Sequence, residues 1–160
     1  VEDAQKIVRY GKYTPVGARG IANTSGSGFW YEDYCQHGLP QYFDTSNNET
    51  MLIPQCETAE CLNDLEAILS IEGIDGVFTG PFDLSASLGK PGELDDPEVK
   101  EAIEHILQTC KKLGKFSIIY AAGPEKAKEY FDLGYDSVTL GMDAAVLVDA
   151  YKEHIRTIFS

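Results

Sequence analysis

The sequence predicts an α/β protein built on a parallel sheet, and three observations lead there. From Met51 onward, short apolar runs of strand length alternate with amphipathic stretches of helical period. Gly73, Gly114 and Gly134 stand where the helical patterns stop, the usual place for a helix-ending glycine. Gly80-Pro81, Gly123-Pro124 and Gly141 stand just past the apolar runs, so each run ends in a turn.

The elements follow in order. The chain enters in helical register, with Ala4, Ile7 and Val8 at helix spacing and Gly11 as the stop. It begins without methionine, so a processed or truncated product is expected. Lys12 to Gly20 carries loop chemistry, in which Arg19 either grips an anionic ligand or orders the loop through carbonyls. Ala22 to Gly28 is small and polar, the composition of a flexible surface loop, and lacks the lysine and spacing of a P-loop. The aromatic group Phe29, Trp30, Tyr31 and Tyr34 is expected to bury against a core or a neighbouring subunit. Without basic company it is no stacking platform for nucleic acid. His37 reads as an exposed loop histidine, and Gln41 to Asn48 as a short helix and an Asn-rich turn.

Met51 to Ile53 begin the first strand, with Gln55 and Glu57 at its carboxyl end. Two residues apart in extended backbone, their side chains share a face. Thr58 opens the next helix, whose apolar stripe is Cys61, Leu62, Leu65, Ile68 and Leu69. Val77 to Thr79 form the second strand. Gly80 and Pro81 stop it, Asp83 sits in the turn beyond, and Ser85 and Ser87 lie in a polar loop. Asp95, Asp96, Pro97 and Glu98 have the form of a helix start, and Val99, Ile103, Ile106 and Leu107 supply its core face, with His105 at the edge. Phe116 to Tyr120 is the third strand, Glu125 to Leu133 a helix, Ser137 to Leu140 the fourth strand, and Ala144 to Phe159 the last helix.

At 160 residues and 43% hydrophobic content the chain suffices for one core. Its net charge of −13 excludes nucleic acid and anionic membranes as charge-driven partners, since both require a basic surface. Cys35, Cys56, Cys61 and Cys110 have no metal-finger spacing and read as small buried hydrophobes. No secretory signal opens the chain and no apolar run reaches the roughly 18 residues of a membrane span, so a cytoplasmic protein is expected.

Four strand–helix units with this spacing form either half of a (β/α)8 barrel, which takes about 250 residues when whole, or an open parallel sheet. An open sheet here lacks the dinucleotide glycine signature. In either case the loops at the carboxyl ends of the strands carry the chemistry. Glu57 and Asp83 end two successive strands, so the pair can share one divalent cation through hard oxygen ligands. Singly, a Glu at a helix start is a dipole partner and an Asp after Gly-Pro a turn residue.

With these residues in view, the chain resembles the HpcH/HpaI aldolase family, metal-dependent class II pyruvate aldolases that include the 4-hydroxy-2-oxo-heptanedioate and 2-keto-3-deoxy-sugar-acid aldolases. The likeness runs nearly end to end. It comprises Gly17-Ala18-Arg19-Gly20, Gln55-Cys56-Glu57-Thr58, the long stretch from Glu72 to Gly89, Asp96-Pro97-Glu98-Val99, Leu113-Gly114-Lys115 and Leu140-Gly141-Met142-Asp143. The resemblance implies that residues 1–160 are one partial domain, about strands 5–8 of a (β/α)8 TIM barrel of the phosphoenolpyruvate/pyruvate type. It makes Glu57 and Asp83 the protein ligands of Mg²⁺ or Mn²⁺, in an enzyme that reversibly cleaves a 4-hydroxy-2-oxo acid to pyruvate and an aldehyde through a metal-stabilised enolate. The turn Gly80-Pro81-Phe82 then presents backbone N–H groups of Phe82 and Asp83 to the pyruvate carboxylate, and Gln55 lines the pocket. Family members often carry Ala where this chain has Phe82, and many carry Leu near the aldehyde where it has Tyr120. The family's catalytic His and its Arg match no position here, so no catalytic base is assigned within the chain. A homo-oligomer joined through terminal helices is expected.

Two alternatives stand beside this one. A non-catalytic or degenerate half-barrel would still bind a metal or a partner. A lyase of the citrate-lyase β type, acting on a CoA thioester, would want a basic groove that this acidic chain does not show.

Overall fold

In the computed structural model, which describes residues 1–22 and 30–160, two helices precede a run of strand–helix units. They are α1 (Glu2–Gly11) and α2 (Leu39–Glu49). The described strands β1 (Gln55–Cys56), β2 (Gly76–Thr79), β3 (Phe116–Ala121) and β4 (Ser137–Leu140) form one parallel sheet in sequence order. Helices α3 (Ala59–Asn63) and α4 (Leu65–Leu69) join β1 to β2. Helices α5 (Pro81–Ser87) and α6 (Pro97–Leu113) join β2 to β3, α7 (Pro124–Leu133) joins β3 to β4, and α8 (Asp143–Phe159) follows.

The sheet has two unlike faces, because side chains alternate along a strand. Register sets Cys56 beside Thr79, Val77 beside Ser117, and Thr79 beside Ile119. All of these are buried under the helices, where Leu65, Leu69, Leu84, Ile106 and Leu107 meet them. Full burial of such a side chain stabilises by roughly 1.5–3 kcal/mol, so this face holds the fold together. The other face carries Gln55, Phe78, Ile118, Tyr120 and Thr139, each at least partly exposed.

One device recurs at the foot of the sheet. The segments Gly73-Ile74-Asp75 and Gly134-Tyr135-Asp136 each lead into a strand, with the glycine at positive φ (+93° and +97°) and the middle residue buried. The aspartate then ties a neighbouring segment in place, the lead into β1 in one case and β3 in the other. Asp75 accepts the Leu52 N–H at 2.7 Å and returns its own N–H to the Leu52 carbonyl at 2.9 Å. Asp136 accepts from both the N–H and the hydroxyl of Ser117 at 2.8 Å. This repeat escaped the sequence reading, although it is written in the chain.

Several expectations are corrected. The first strand does not run from Met51: the ladder is confined to Gln55–Cys56, since Pro54 has no N–H and can only accept, from Phe78 at 2.9 Å. The helix after Thr58 is two short helices that meet at Asp64. Helix α2 starts at Leu39, with Pro40 in its first turn. Among the aromatic group, Tyr31 is 86% exposed rather than buried, whereas Tyr34 stacks on Tyr42 at 5.7 Å. Cys56 and Cys110 are buried as expected, but Cys35 and Cys61 are only half-buried. Arg19 lies over the Tyr13 ring, 4.8 Å from its centroid, which favours its loop-ordering role. The small polar segment and Phe29 lie outside the described residues, apart from Ala22. Among the described residues no helix is long and apolar enough to cross a membrane.

Candidate metal and substrate site

The site grows from the carboxyl ends of β1 and β2. Thr79 ends β2, and Gly80 leads into α5 with Pro81 at its first position, where a missing N–H costs nothing. Asp83 therefore sits in the first turn of a helix, not in a loop, and Ser85 and Ser87 are helical too. Their hydroxyls act as latches. Ser85, fully buried, donates to the Phe82 carbonyl at 2.6 Å and accepts from the Gly92 N–H at 2.9 Å, which folds the stretch after α5 back onto it. Ser87 accepts the Ala59 N–H at 2.9 Å. That bond fixes the start of α3, and with it Glu57 two residues upstream, against the element that carries Asp83.

Gly80 shows how close the two segments come. A Cβ placed there would lie 2.8 Å from Glu57 Oε2 and 3.2 Å from Glu57 Cβ. The Glu57 side chain thus occupies the space that any other residue at position 80 would fill. Thr58 caps α3 by accepting the Cys61 N–H at 3.1 Å, so Glu57 leaves the strand where the chain turns into helix.

Beside this contact lies a cleft of about 480 Å³. It brings together Gln55, Gly80, Phe82, Asp83 and Tyr120, all five substrate-binding residues expected from the sequence. Glu57 does not line the cleft wall; its side chain packs against Gly80, which does. Phe82 and Tyr120 meet edge to face, with ring centroids 6.1 Å apart and planes at 62°. Sequence reasoning missed Phe78, Thr139 and Met142, which also line the cleft. Phe78 and Thr139 lie on the same sheet face as Gln55 and Tyr120, so the two-residue period of β2 and β4 was the signal for them.

The donors suit a hard cation. Among the described residues no group of three His, Cys, Asp or Glu side chains can hold a metal, so an ion held by Glu57 and Asp83 would be completed by water or ligand oxygens. The buried thiol next to Glu57 does not compete for such an ion. Cys56, buried between Gln55 and Glu57, is held protonated by its hydrogen bond to Cys61 and by burial, both of which push its thiol up. The same bond draws the half-buried Cys61 thiol down. His37, His105 and His154 are exposed and none lines the cleft.

Comparison with known proteins identifies the family. The sequence profile described as HpcH/HpaI aldolase/citrate lyase matches residues 1–150. The 4-hydroxy-2-oxo-heptane-1,7-dioate aldolase of Shigella flexneri is 36% identical over 150 residues, covering 93% of this chain and 54% of its own length. The chain thus spans about half the length of the curated relatives it matches. Among solved structures, an HpcH/HpaI aldolase/citrate lyase family protein from Burkholderia cenocepacia superposes with a TM-score of 0.85 at 29% identity, over 99% of this chain and 61% of that one. The citrate lyase β subunit of M. tuberculosis shares the fold less fully, with a TM-score of 0.51 at 18% identity over 64% of this chain and 51% of that one. A profile match across nearly the whole chain, on a sheet that superposes on a family structure, places this chain in the HpcH/HpaI aldolase/citrate lyase family.

Proposed function

We propose that the protein is a divalent-metal-dependent aldolase that reversibly cleaves a 4-hydroxy-2-oxo acid to pyruvate and an aldehyde. One observation carries the reading: the Glu57 side chain is seated on Gly80, a residue of the cleft that also gathers Gln55, Phe82, Asp83 and Tyr120. Glu57 and Asp83 would hold Mg²⁺ or Mn²⁺, ions that accept few protein carboxylates and keep open positions for water or substrate. When bound, the ion supplies Lewis acidity toward the carboxylate and 2-oxo oxygens of the substrate.

The chain's own groups orient the reactant. The Leu84 N–H makes the first i→i−4 bond of α5, to Gly80 at 2.9 Å, so the N–H groups of Phe82 and Asp83 lie ahead of it and face a substrate carboxylate. Gln55, exposed at the cleft, offers an amide to the same polar end of the substrate. In the cleavage direction the C4 hydroxyl gives up its proton and the C3–C4 bond breaks. Its electron pair stays on C3, C4 becomes the aldehyde carbonyl, and C3 takes a proton to yield pyruvate. No histidine lines the cleft among the described residues, and no proton acceptor is assigned to them.

The same reading extends to architecture. The half-exposed sheet face becomes the inner wall of a (β/α)8 barrel of which β1–β4 are about strands 5–8. In α8 no residue is buried, and Val146, Leu147, Ile155 and Ile158 are each more than half exposed. This apolar helix is read as docking on a second copy, which makes the protein a homo-oligomer.

The test uses the natural protein and a 4-hydroxy-2-oxo acid, following pyruvate release. The reading expects release that stops with EDTA and returns with Mg²⁺. Release indifferent to the chelator, or no release at all, overturns it.

A further inference from the structure

We infer that Cys56 and Cys61 are a redox-sensitive pair, a modification site at which a peroxide closes a disulfide and withdraws Glu57 from the metal site. The disulfide stands on the geometry of residues 55–61; its consequence for the ion rests on the metal-dependent reading above.

Three observations converge. The two thiols hydrogen-bond to one another, and the Cys61 sulfur also lies 3.9 Å from the carbonyl of Gln55, the residue just before Cys56. The Cys61 side chain is therefore turned back onto the strand end that holds Cys56. The contact is made within one short stretch of chain, from β1 into the first turn of α3. Second, the pair is graded in access. Cys56 is 0% exposed and Cys61 only half-buried, so Cys61 is the sulfur that a small oxidant meets first. Third, the stretch that joins the two thiols contains Glu57, whose side chain rests against Gly80. Cys56 is locked by the ladder opposite Thr79, and its carbonyl accepts the Gly80 N–H at 3.3 Å. The first turn of α3 is held more lightly, by the Cys61 N–H on Thr58 and the Ala59 N–H on Ser87.

In the first step the Cys61 sulfur, as thiolate, attacks one peroxide oxygen and the O–O bond breaks. Cys61 becomes a sulfenic acid, and the departing hydroxide takes up the thiol proton as water. The Cys56 sulfur then attacks the Cys61 sulfur. The S–S bond forms, the S–O bond breaks, and the leaving hydroxide takes the Cys56 proton as a second water. Each sulfur is oxidised by one electron and the peroxide oxygens are reduced, so two thiols and one peroxide yield one disulfide and two waters. A disulfide holds its sulfurs about 2.0 Å apart, far inside the distance of a thiol–thiol hydrogen bond. Because the sheet holds Cys56, the first turn of α3 moves instead. Glu57, between the fixed thiol and the moving one, swings off Gly80.

The experiment treats the natural protein with hydrogen peroxide and maps its disulfides by mass spectrometry of peptides. Titration calorimetry then gives the Mn²⁺ affinity of the reduced protein, the oxidised protein and protein reduced again with dithiothreitol. A Cys56–Cys61 link is expected, with Mn²⁺ affinity lowered about 10–100-fold, as when a metal ligand loses its orientation, and restored on reduction. Cys61→Ser should bind Mn²⁺ like the reduced natural protein and keep that affinity in peroxide. Should it fail to fold, Cys61→Ala takes its place with the same expectation. No link between the two residues, or a link to Cys35, Cys110 or a second chain instead, overturns the pair. A Cys56–Cys61 link that leaves Mn²⁺ affinity unchanged, or an affinity loss that Cys61→Ser shares, overturns its hold on Glu57 while leaving the metal reading intact. Absence of Mn²⁺ binding by the reduced protein overturns the metal reading and the hold on Glu57 together, and the peptide map then decides the pair by itself.

Discussion

Replacing Gly80 by alanine separates the requirements of the fold from those of the site. The backbone there has φ −97°, a region open to any residue, so no strain arises from conformation. Losing glycine's freedom in the unfolded chain would by itself stabilise by about 0.4–1 kcal/mol. The cost comes from Glu57. The new Cβ would stand 2.8 Å from Oε2, about 0.6 Å inside the 3.4 Å at which contact becomes ordinary, and 3.2 Å from Glu57 Cβ. The carboxylate is the far end of a flexible side chain and can swing away, so the two contributions to stability nearly cancel. Gly80→Ala should therefore leave the melting point within a few degrees of the natural protein. A ligand that has swung away no longer points at its ion. Disturbing what orients a metal ligand typically costs about 10–100-fold in affinity, or roughly 1.4–2.7 kcal/mol. Titration calorimetry with Mn²⁺, run beside thermal unfolding, reads both quantities. Unchanged Mn²⁺ affinity in a folded Gly80→Ala protein would refute the placement of Glu57 at the site.

Two further outcomes follow from the fold and its charges. Asp136→Ala leaves the Ser117 N–H and hydroxyl without their partner and should cost about 1–3 kcal/mol. By contrast, Asp132→Ala removes only an exposed pair with Lys128 and should cost no more than about 1 kcal/mol. Equal losses in urea melts would contradict the tying role of Asp136. The Lys90 ammonium, 2.8 Å from Asp96, holds that carboxyl below its ordinary value of 3.8. A depressed carboxylate stabilises the fold above its ordinary pKa, and that contribution is lost as pH falls through the folded value. Asp96→Asn should therefore flatten the acid loss of stability below about pH 4, measured by urea unfolding across that range. Parallel slopes for the two proteins would argue against it.

What the chain disclosed in advance depended on how local the determinant was. Helix α6 was legible because everything that makes it lies within it. Asp96 caps Glu98 at 2.9 Å, Pro97 sits at the first position, and Val99, Ile103, Ile106 and Leu107 recur at helical spacing up to Gly114 at φ +63°. That the sheet is parallel was legible because alternating strand–helix units leave a parallel sheet as the economical solution. By contrast, Pro81 was read as a stop when it opens α5, since proline serves both roles and only the following hydrogen bonds decide between them. Ser85 and Ser87 looked like loop polarity. Their partners are Phe82 and Gly92 for one and Ala59 for the other, and the last of these lies 28 residues back in the chain, beyond any local pattern. Gln55, Gly80, Phe82, Asp83 and Tyr120 were named together through the family resemblance, and they meet in one cleft because strand ends in parallel units share one edge. The approach of Glu57 over Gly80 needed coordinates.

The most direct measurement is exchange of the pyruvate methyl protons for deuterium in D₂O, followed by NMR with the natural protein and Mg²⁺. It needs no aldehyde and so isolates the half-reaction assigned to Glu57, Asp83 and Gln55. The account predicts exchange well above buffer, abolished by EDTA, restored by Mg²⁺ and lost in Glu57→Gln. Exchange at the buffer rate, or exchange that survives both EDTA and Glu57→Gln, would contradict it.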